Sequence, residues 1–221
     1  MKQDVVIFGA GEIAELAAVY LAGDSAFRPV AFTVDRTHLT AQELSGLPVF
    51  AFEDIAAAYP PERYLLFVAL SYAKLNMLRA EKVAAARAKG YRLASYVSSR
   101  ASIATDFQVK DNCFILENNT IQPFARIGEN ATLWSGNHIG HHSVIEDDVF
   151  VASHAVVSGG VTIGQGSFIG VNATIRDHVK IGRQCVIGAG ALVLEDQPDF
   201  SVIAPRGTER SAVPSTRLRR I

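Results

Sequence analysis

The fold is decided by residues 120–164, which read TIQPFARIGENATLWSGNHIGHHSVIEDDVFVASHAVVSGGVTIG. An aliphatic residue recurs there at every sixth position, and the same phase extends in both directions from Ile103 to Val193. The sixteen positions are Ile103, Val109, Ile115, Ile121, Ile127, Leu133, Ile139, Ile145, Val151, Val157, Ile163, Ile169, Ile175, Ile181, Ile187 and Val193.

A period of six fits neither an α-helix nor a single alternating strand. It is typical of a solenoid in which each triangular coil contains three short strands and three turns. The aliphatic side chains point inward, and successive coils stack at the strand spacing of ~4.8 Å. The hexads therefore predict a parallel β-helix of about five coils.

Small residues recur two places before the aliphatic residue, as at Ala125, Ala155 and Ala173, and are expected to lean inward. Cys113 and Cys185 occupy this position too. Neither cysteine is close in sequence to the histidine-rich segment around residue 141, so the pattern argues against a thiol nucleophile. Two cysteines also exclude a disulfide framework.

The first hundred residues alternate short apolar runs with helical patterns, which predicts a small Rossmann-like parallel sheet flanked by helices. The predicted strands are Val5–Phe8, Val30–Val34, Pro48–Phe52, Tyr64–Leu70 and Tyr91–Val97. A helix is predicted at Ala73–Lys89, before the last strand. We therefore expect an α/β domain over 1–98, a β-helix over 99–196 and a tail over 197–221.

Composition narrows the class of protein. The chain has 221 residues, 49% of them hydrophobic and 19% charged, with a net charge of −1. This composition supports a packed core and gives no electrostatic reason to expect nucleic acid as a partner. The apolar run near Met1 is too short for a signal peptide, and no run approaches the ~20 residues of a membrane span. We expect a cytoplasmic protein without membrane insertion.

The hexads resemble those of the left-handed β-helix, or hexapeptide-repeat, acyltransferases. The order of an α/β domain followed by the β-helix resembles the nucleotide-sugar N-acetyltransferases of the bacillosamine and perosamine type and the sialic-acid O-acetyltransferase-like proteins. The resemblance implies a homotrimer that uses acetyl-CoA as acyl donor, needs no metal and acts on a nucleotide-linked sugar.

The resemblance also implies a general base. The segment from Trp134 to Ser143 holds three histidines, and alignment with the family pattern places His141 at the base. Imidazole suits this task because it titrates near neutral pH. His142 stands where the family usually has a carboxylate, which leaves the orienting group open; the reserve candidates are Glu146, Asp147 and Asp148. Asn137 and His138 are candidate substrate contacts or plain turn residues, and His154 is expected to be a solvated turn residue.

The resemblance implies backbone contacts to CoA as well. Ser158-Gly159-Gly160 lies eighteen residues beyond the turn that carries His141, so the two turns should stack. Gly159 and Val171 match residues that contact CoA in the family, and Gly160 and Ala189 are further candidates. The alternative is that the glycines only satisfy turn geometry.

In the first domain, Gly9-Ala10-Gly11 follows a predicted strand as the start of a G-x-G-x-x-A motif, and Asp35 ends the second strand. Such a loop lets a phosphate approach the backbone at a helix N-terminus. The resemblance implies that Gly9, Gly11 and Asp35 bind the nucleotide, with Ser71 and Tyr72 at the same edge of the sheet. Glu12 occupies a position where the family has a glycine.

The sequence therefore predicts an acetyl-CoA-dependent acetyltransferase that acts on an amino sugar. Transfer to a sugar hydroxyl is the second reading. A zinc protein like the γ-type carbonic anhydrases and a non-catalytic sugar-nucleotide binder are the remaining alternatives; the histidines at 138, 141, 142 and 154 would be the metal ligands in the former.

Overall fold

A computed structural model describes residues 2–104 and 107–217. The first part is an α/β domain. Its elements are β1 Gln3–Phe8, α1 Glu12–Gly23, β2 Phe27–Val34, a 3₁₀ turn at Arg36–His38, β3 Glu43–Leu44, β4 Leu47–Ala51, α2 Ile55–Ala58, β5 Leu65–Val68 and α3 Met77–Ala88. No helix within these described residues is long and apolar enough to cross a membrane.

The sheet of the first domain has the order β3-β4-β2-β1-β5. Every neighbouring pair is parallel except β3 and β4. The crossover from β1 through α1 to β2 puts the Gly9–Gly11 turn at the carboxyl edge of the sheet. This arrangement confirms the predicted Rossmann-like sheet, and its buried strands explain the continuous apolar runs in the sequence.

One predicted strand, Tyr91–Val97, is wrong as a member of that sheet. Only Leu93 forms a bridge there, to Leu66 of β5. Tyr96–Val97 instead forms β6, the first strand of the following β-helix. The run is apolar because it is buried between the two parts of the chain, and burial alone does not tell which sheet a strand joins.

The predicted helix at Ala73–Lys89 begins later than expected, at Met77. Lys74, Leu75 and Asn76 have left-handed φ angles of 52°, 52° and 65°. Such angles cannot continue a right-handed helix, so the chain makes a tight turn before α3 starts. This turn brings the start of α3 against the β-helix.

Seventeen two-residue strands follow in the described residues. They are β6 Tyr96–Val97, β7 Ser102–Ile103, β8 Phe114–Ile115, β9 Thr120–Ile121, β10 Arg126–Ile127, β11 Thr132–Leu133, β12 His138–Ile139, β13 Val144–Ile145, β14 Phe150–Val151, β15 Val156–Val157, β16 Thr162–Ile163, β17 Phe168–Ile169, β18 Thr174–Ile175, β19 Lys180–Ile181, β20 Val186–Ile187, β21 Leu192–Val193 and β22 Val202–Ile203. A 3₁₀ turn at Ser215–Arg217 comes last.

These strands form three parallel sheets. We name them the junction sheet (β6, β8, β11, β14, β17, β20, β22), the second sheet (β7, β9, β12, β15, β18, β21) and the third sheet (β10, β13, β16, β19). Strands pair across eighteen residues, as His138 does with Val156. Each strand contributes one inward aliphatic residue, and from Ile115 to Val193 all fourteen of these are buried.

Val109 is the exception to the predicted core, since 45% of its surface is exposed. Residues 107–110 form no strand, so the third sheet begins one coil later, at β10. Without a strand to hold it, Val109 does not enter the core. Ile103, at the other end of this irregular coil, is only partly buried.

The first domain covers the junction sheet. Phe114 and Phe150 of that sheet are buried under it, whereas Val202 at the far end of the sheet is 67% exposed. Arg79 of α3 is wholly buried at this junction and donates to the backbone oxygen of Asn130 at 2.6 Å. Burial lowers the pKa of Arg79 to about 10, so the guanidinium keeps its charge at neutral pH.

Candidate functional site

His141 lies at the corner of the β-helix where the second and third sheets meet. We call this the far corner, because it lies opposite the junction sheet; its stacked turns are residues 122–124, 140–142, 158–160 and 176–178. The coils are tied here by Gly160 N–H, which donates to the His141 carbonyl at 2.8 Å. The His141 ring packs on Gly159, where an added methyl group would lie 2.6 Å from its Cε1 and 2.7 Å from its Nε2.

The exposed His141 residue is held by one side-chain contact and one backbone contact, and a third contact holds its neighbour His142. Its Nδ1 lies 3.1 Å from Nδ1 of His142, which is hydrogen-bonding distance. Its backbone N–H donates to Gln122 Oε1 at 2.9 Å. The His142 ring in turn packs on Phe124, with ring centroids 4.7 Å apart. The Nε2 atom of His141 faces Gly159 and, among the described residues, forms no hydrogen bond.

The reserve candidates for the orienting group do not reach His141. Each of these carboxylates accepts a hydrogen bond at the corner between the third and junction sheets instead. The pairs are Glu146 Oε2 with Gln165 N–H (2.9 Å), Asp147 Oδ1 with Glu129 N–H (2.8 Å) and Asp148 Oδ1 with Asn130 Nδ2–H (2.7 Å). They stabilise the coil stack, and His142 is the polar side chain in contact with the His141 ring.

An open cleft of about 880 Å³ runs along the third sheet from the far corner. Phe124 and His142 line it beside the corner, and Arg126, Glu146 and Gln165 line it farther along. Both apolar and charged groups therefore line the cleft near His142. The cleft gives room for a polar substrate near His142.

Asn137 and His138 behave differently from each other. Asn137 is buried in the coil interior, where Nδ2 donates to the Trp134 carbonyl at 2.5 Å and Oδ1 accepts from Ala155 N–H at 2.7 Å. This corrects the expectation of a substrate contact, because both ends of the amide are already engaged. His138 points outward from β12 and is half-buried on the second sheet.

The predicted CoA contacts divide between two corners. Gly159 and Gly160 lie at the far corner, and within the described residues the Gly159 N–H donates to no acceptor. Val171 and Ala189 lie at the corner between the junction and second sheets, where both are exposed. Within one chain the second sheet separates the two pairs.

The predicted nucleotide loop lies at the carboxyl edge of the first sheet. Gly9 is buried with φ 129°, and a methyl group on it would lie 2.7 Å from the Ala69 carbonyl oxygen, so only glycine fits. Gly11 is exposed and precedes α1. The Asp35 carboxylate lies 2.9 Å from Lys82 Nζ, an ion pair that the sequence did not reveal.

Ser71 and Tyr72 follow β5 at the same edge, as predicted from the strand order. Half of the Tyr72 surface is exposed, and its ring packs on Phe168 and Phe150 of the junction sheet, with centroids 4.7 and 5.1 Å away. We call this place, where the carboxyl edge of the first sheet meets the junction sheet beside Tyr72, the crevice.

The crevice and His141 lie on different sides of the β-helix. The first domain covers the junction sheet, and the far corner is opposite that sheet. Three residues that the sequence did not single out contact the candidate site residues. Gln122 and Phe124 contact His141 and His142 at the far corner, and Lys82 pairs with Asp35 beside the crevice. The period of eighteen could have indicated Phe124, because it stacks directly below His142. Residues 2–104 and 107–217 contain no group of three or more metal-ligating side chains that could hold an ion.

Comparison with known proteins bears on the repeat, the fold and the class of protein. The family model "Bacterial transferase hexapeptide (six repeats)" matches residues 124–159 and 160–195. A curated relative is the serine acetyltransferase of Bacillus subtilis (strain 168), 28% identical over an alignment of 172 positions that covers 68% of this chain and 71% of the relative. The repeats confirm the predicted hexapeptide β-helix, and the relative supports the acyltransferase class.

Two solved structures are similar over nearly the whole chain. The acetyltransferase domain of PglB from Neisseria gonorrhoeae has a TM-score of 0.79 and 22% identity, and covers 91% of this chain and 96% of its own. A histidine-to-asparagine mutant of perosamine N-acetyltransferase from Caulobacter crescentus, in complex with CoA and GDP-perosamine, also scores 0.79, at 23% identity, over 90% and 92%. They confirm the predicted fold, a Rossmann-like domain followed by a left-handed parallel β-helix.

Proposed function

We propose that this protein is an acetyl-CoA-dependent acetyltransferase that acts on the amino group of a nucleotide-linked sugar, with His141 as general base. One observation carries the proposal. The His141 imidazole is hydrogen bonded at Nδ1 by a neighbouring side chain, and its Nε2 edge lies over a glycine at an exposed corner. A base needs this combination of an oriented ring and an accessible nitrogen.

The reaction is a direct transfer. The amine nitrogen attacks the thioester carbon, its proton passes to His141 Nε2, and the carbon–sulfur bond breaks as the tetrahedral intermediate collapses. The proton then passes from His141 to the departing CoA thiolate. The Gly159 N–H is suited to receive the oxyanion, because a backbone donor in place before reaction stabilises that charge. Cys113 and Cys185 are buried, which supports a route without a covalent enzyme intermediate.

The substrates follow from the two halves of the molecule. We assign 1–98 to binding of the nucleotide-linked sugar, through the loop with Gly9 and Gly11, and 99–196 to acyl transfer. Structures similar over the whole chain were solved with acetyl-CoA, or with CoA and GDP-perosamine, which supports both substrates. The reaction needs no metal, and we place it in the cytoplasm.

A homotrimer would complete the site. The crevice beside Tyr72 and the base at the far corner lie on different sides of one β-helix. The proposed CoA contacts Gly159 and Val171 likewise lie at two different corners of it. A neighbouring chain packed about a threefold axis can bring one chain's far corner close to another chain's crevice. The three-sided cross-section of the coil favours such packing.

The proposal is tested by incubating the protein with acetyl-CoA and nucleotide-linked amino sugars. Release of CoA thiol, together with a product 42 Da heavier than the sugar nucleotide by mass spectrometry (the mass that an acetyl group adds), is expected. The control is the matching sugar nucleotide with a hydroxyl in place of the amine. Absence of thiol release with a broad panel of amino sugars would refute the proposal.

Transfer to a hydroxyl is the second candidate. The curated relatives named serine acetyltransferase are compatible with it, since serine carries a hydroxyl as well as an amine. The same base serves either acceptor, because a hydroxyl must also lose its proton on attack. In the assay above, product from the hydroxyl sugar or from serine, and none from the amine, would select this alternative.

A further inference from the structure

We propose that His142 is a positioning residue which accepts the Nδ1–H of His141, and that Phe124 holds His142 in the orientation needed to do so. The inference rests on the proposed function, in which His141 is the base. It assigns the orienting role, filled by a carboxylate in the resembling enzymes, to a neutral imidazole clamped by an exposed aromatic ring.

The distance between the two Nδ1 atoms limits the proton arrangement. At 3.1 Å they form one hydrogen bond, so one nitrogen carries the hydrogen and the other accepts it. If His142 donates, neutral His141 carries its own hydrogen on Nε2 and cannot take a proton there. If His141 donates, its Nε2 has a free lone pair. Only the second arrangement makes the Nε2 edge over Gly159 a base.

The backbone of His141 is fixed separately from its ring. Its N–H is bound by Gln122, and its carbonyl accepts from Gly160. These bonds hold the main chain but leave the side-chain torsions free. Among the described residues, the polar contact that fixes the ring itself is the one to His142. Rotation of His142 would therefore release the base.

Phe124 is the group that prevents this rotation. It lies one coil below His142 in the same column, and the two rings are 4.7 Å apart at an angle of 37°. Phe124 is 62% exposed, so burial in the core does not account for an aromatic residue at this turn. Its side chain covers one face of the His142 ring and leaves the edge with Nδ1 directed at His141.

Because His142 acts only as a hydrogen-bond acceptor toward His141, an aspartate in its place should serve the same role. Oδ1 of an aspartate would occupy nearly the same place as Nδ1 and can only accept a hydrogen bond. The left-handed backbone at His142, φ 60°, also suits aspartate, since Asp148 has φ 61° in this β-helix. His142→Asp should therefore keep the His141 tautomer, whereas His142→Ala removes the acceptor.

The test combines kinetics with nitrogen NMR on protein labelled with ¹⁵N-histidine at pH 8. We expect His142→Ala to lower kcat about ten- to hundredfold with little change in KM for acetyl-CoA, the usual effect of losing an orienting partner. His142→Asp should retain at least half of the parental kcat. Phe124→Leu should lower kcat about tenfold, and Phe124→Tyr should restore it. His154→Ala is the matched control, because that ring also packs on a glycine of a neighbouring coil, at another corner.

The spectra report the tautomer directly, with the His141 signals assigned by their loss in His141→Ala. The proposal expects a protonated Nδ1 and an unprotonated Nε2 on His141 in the parent and in His142→Asp, and a mixture of tautomers in His142→Ala. A His141 protonated at Nε2 in the parent would overturn it, as would an unchanged kcat in His142→Ala. If the parent acetylates no amine while its spectra show the expected tautomer, the proposed function fails and the hydrogen bond stands.

Discussion

At the scale of single residues, glycines make room for histidine rings at two corners of the β-helix. Three histidine rings pack on a glycine of a neighbouring coil: His141 on Gly159, His154 on Gly136 and His178 on Gly160. Gly136 and Gly160 have left-handed φ angles of 80° and 68°, so backbone geometry alone explains why glycine stands there. Gly159 has no left-handed φ angle, so backbone geometry does not explain it. It is required for the space that the imidazole occupies.

Gly159→Ala is therefore predicted to damage the base and spare the fold. The new methyl group would lie 2.6 Å from His141 Cε1, and the exposed ring can swing away to relieve the clash. We expect kcat to fall at least tenfold, while the Tm stays within about 2 °C, because surface substitutions usually cost less than about 0.5 kcal/mol. Gly23→Ala, where the methyl group meets no neighbouring atom, is the control. Full activity in Gly159→Ala would contradict the packing described.

Asp24 gives a prediction of pH dependence. Hydrogen bonds from Ser99 and then from Tyr96 lower the pKa of this carboxyl below its usual value, and they tie the end of α1 to the start of the β-helix. A carboxyl whose pKa is lower in the folded state stabilises that state above its unfolded pKa of about 3.9, and the contribution is lost as pH falls further.

The Tm of Asp24→Asn is accordingly expected to lie below that of the parent at pH 7, and the gap should narrow steadily below about pH 4. Thermal unfolding followed by circular dichroism between pH 7 and pH 2.5 measures it. A gap that stays constant, or widens in acid, would show that the hydrogen bonds do not depend on the charge of Asp24.

Sequence reasoning located His141, His142 and Gly159 in a common place because the period of eighteen stacks their turns. It left Asn137 open between a substrate contact and a turn residue, although the signal for an inward position was present: Asn137 lies two residues before Ile139, the position where small inward residues recur. The Nδ1–Nδ1 contact and the ion pair of Asp35 with Lys82 could not be predicted. Both depend on side-chain torsions or on distant segments that no local pattern encodes.

At the scale of elements, the two-residue strands have almost no stability of their own and depend on the inward aliphatic residue of each hexad. Ile139 of β12 is wholly buried between the strands above and below it. Replacing such a residue affects the whole stack, because each coil provides the hydrogen-bond partners of the next.

Ile139→Asp is expected to lower the free energy of unfolding by roughly 4 kcal/mol or more, since an unpaired carboxylate would enter an apolar core. Leu192→Asp is the matched control: it is an aliphatic residue of the same sheet, yet it points outward and is 64% exposed. Denaturant titration compares the two. Equal losses in both variants would refute the predicted hexad register.

The regular elements were the most predictable part of the fold. Fifteen of the sixteen aliphatic positions lie in strands, since one repeated pattern specifies them all. The failure at Val109 has a local cause, because its neighbours at 107–110 leave the coil. The late start of α3 has a distant cause: Asn76 and Arg79 are drawn into the junction with the β-helix, and their contacts there lie more than fifty residues away in sequence.

At the scale of the whole molecule, the first domain is fastened to the β-helix by polar groups as well as by aromatic rings. Asn112 accepts from Val68 N–H at 2.7 Å, and the Arg87 guanidinium lies 2.8 Å from Glu129 and 2.9 Å from Asp111. These contacts fix the crevice relative to the coils. They hold it on the side of the β-helix away from the far corner, and in the proposed function a second chain completes the site.

We therefore predict a homotrimer. Light scattering should give three times the chain mass of 23.8 kDa. Specific activity should fall on dilution below the dissociation range, because the proposed site takes its base from one chain and its sugar-binding residues from another. A monomer that keeps full specific activity would contradict a site shared between chains.

His141 as the base is the central element of the proposed mechanism, and steady-state kinetics of His141→Ala against the parent test it. We expect kcat with the amino sugar to fall by roughly 10²–10⁴-fold, the usual effect of removing a positioned base, while the Tm and the affinity for CoA stay near those of the parent. His154→Ala, with its ring on Gly136, should keep the parental kcat. If His141→Ala retains more than half of the parental kcat, or loses activity only because CoA binding is lost, His141 is not the base and the proposed mechanism is wrong.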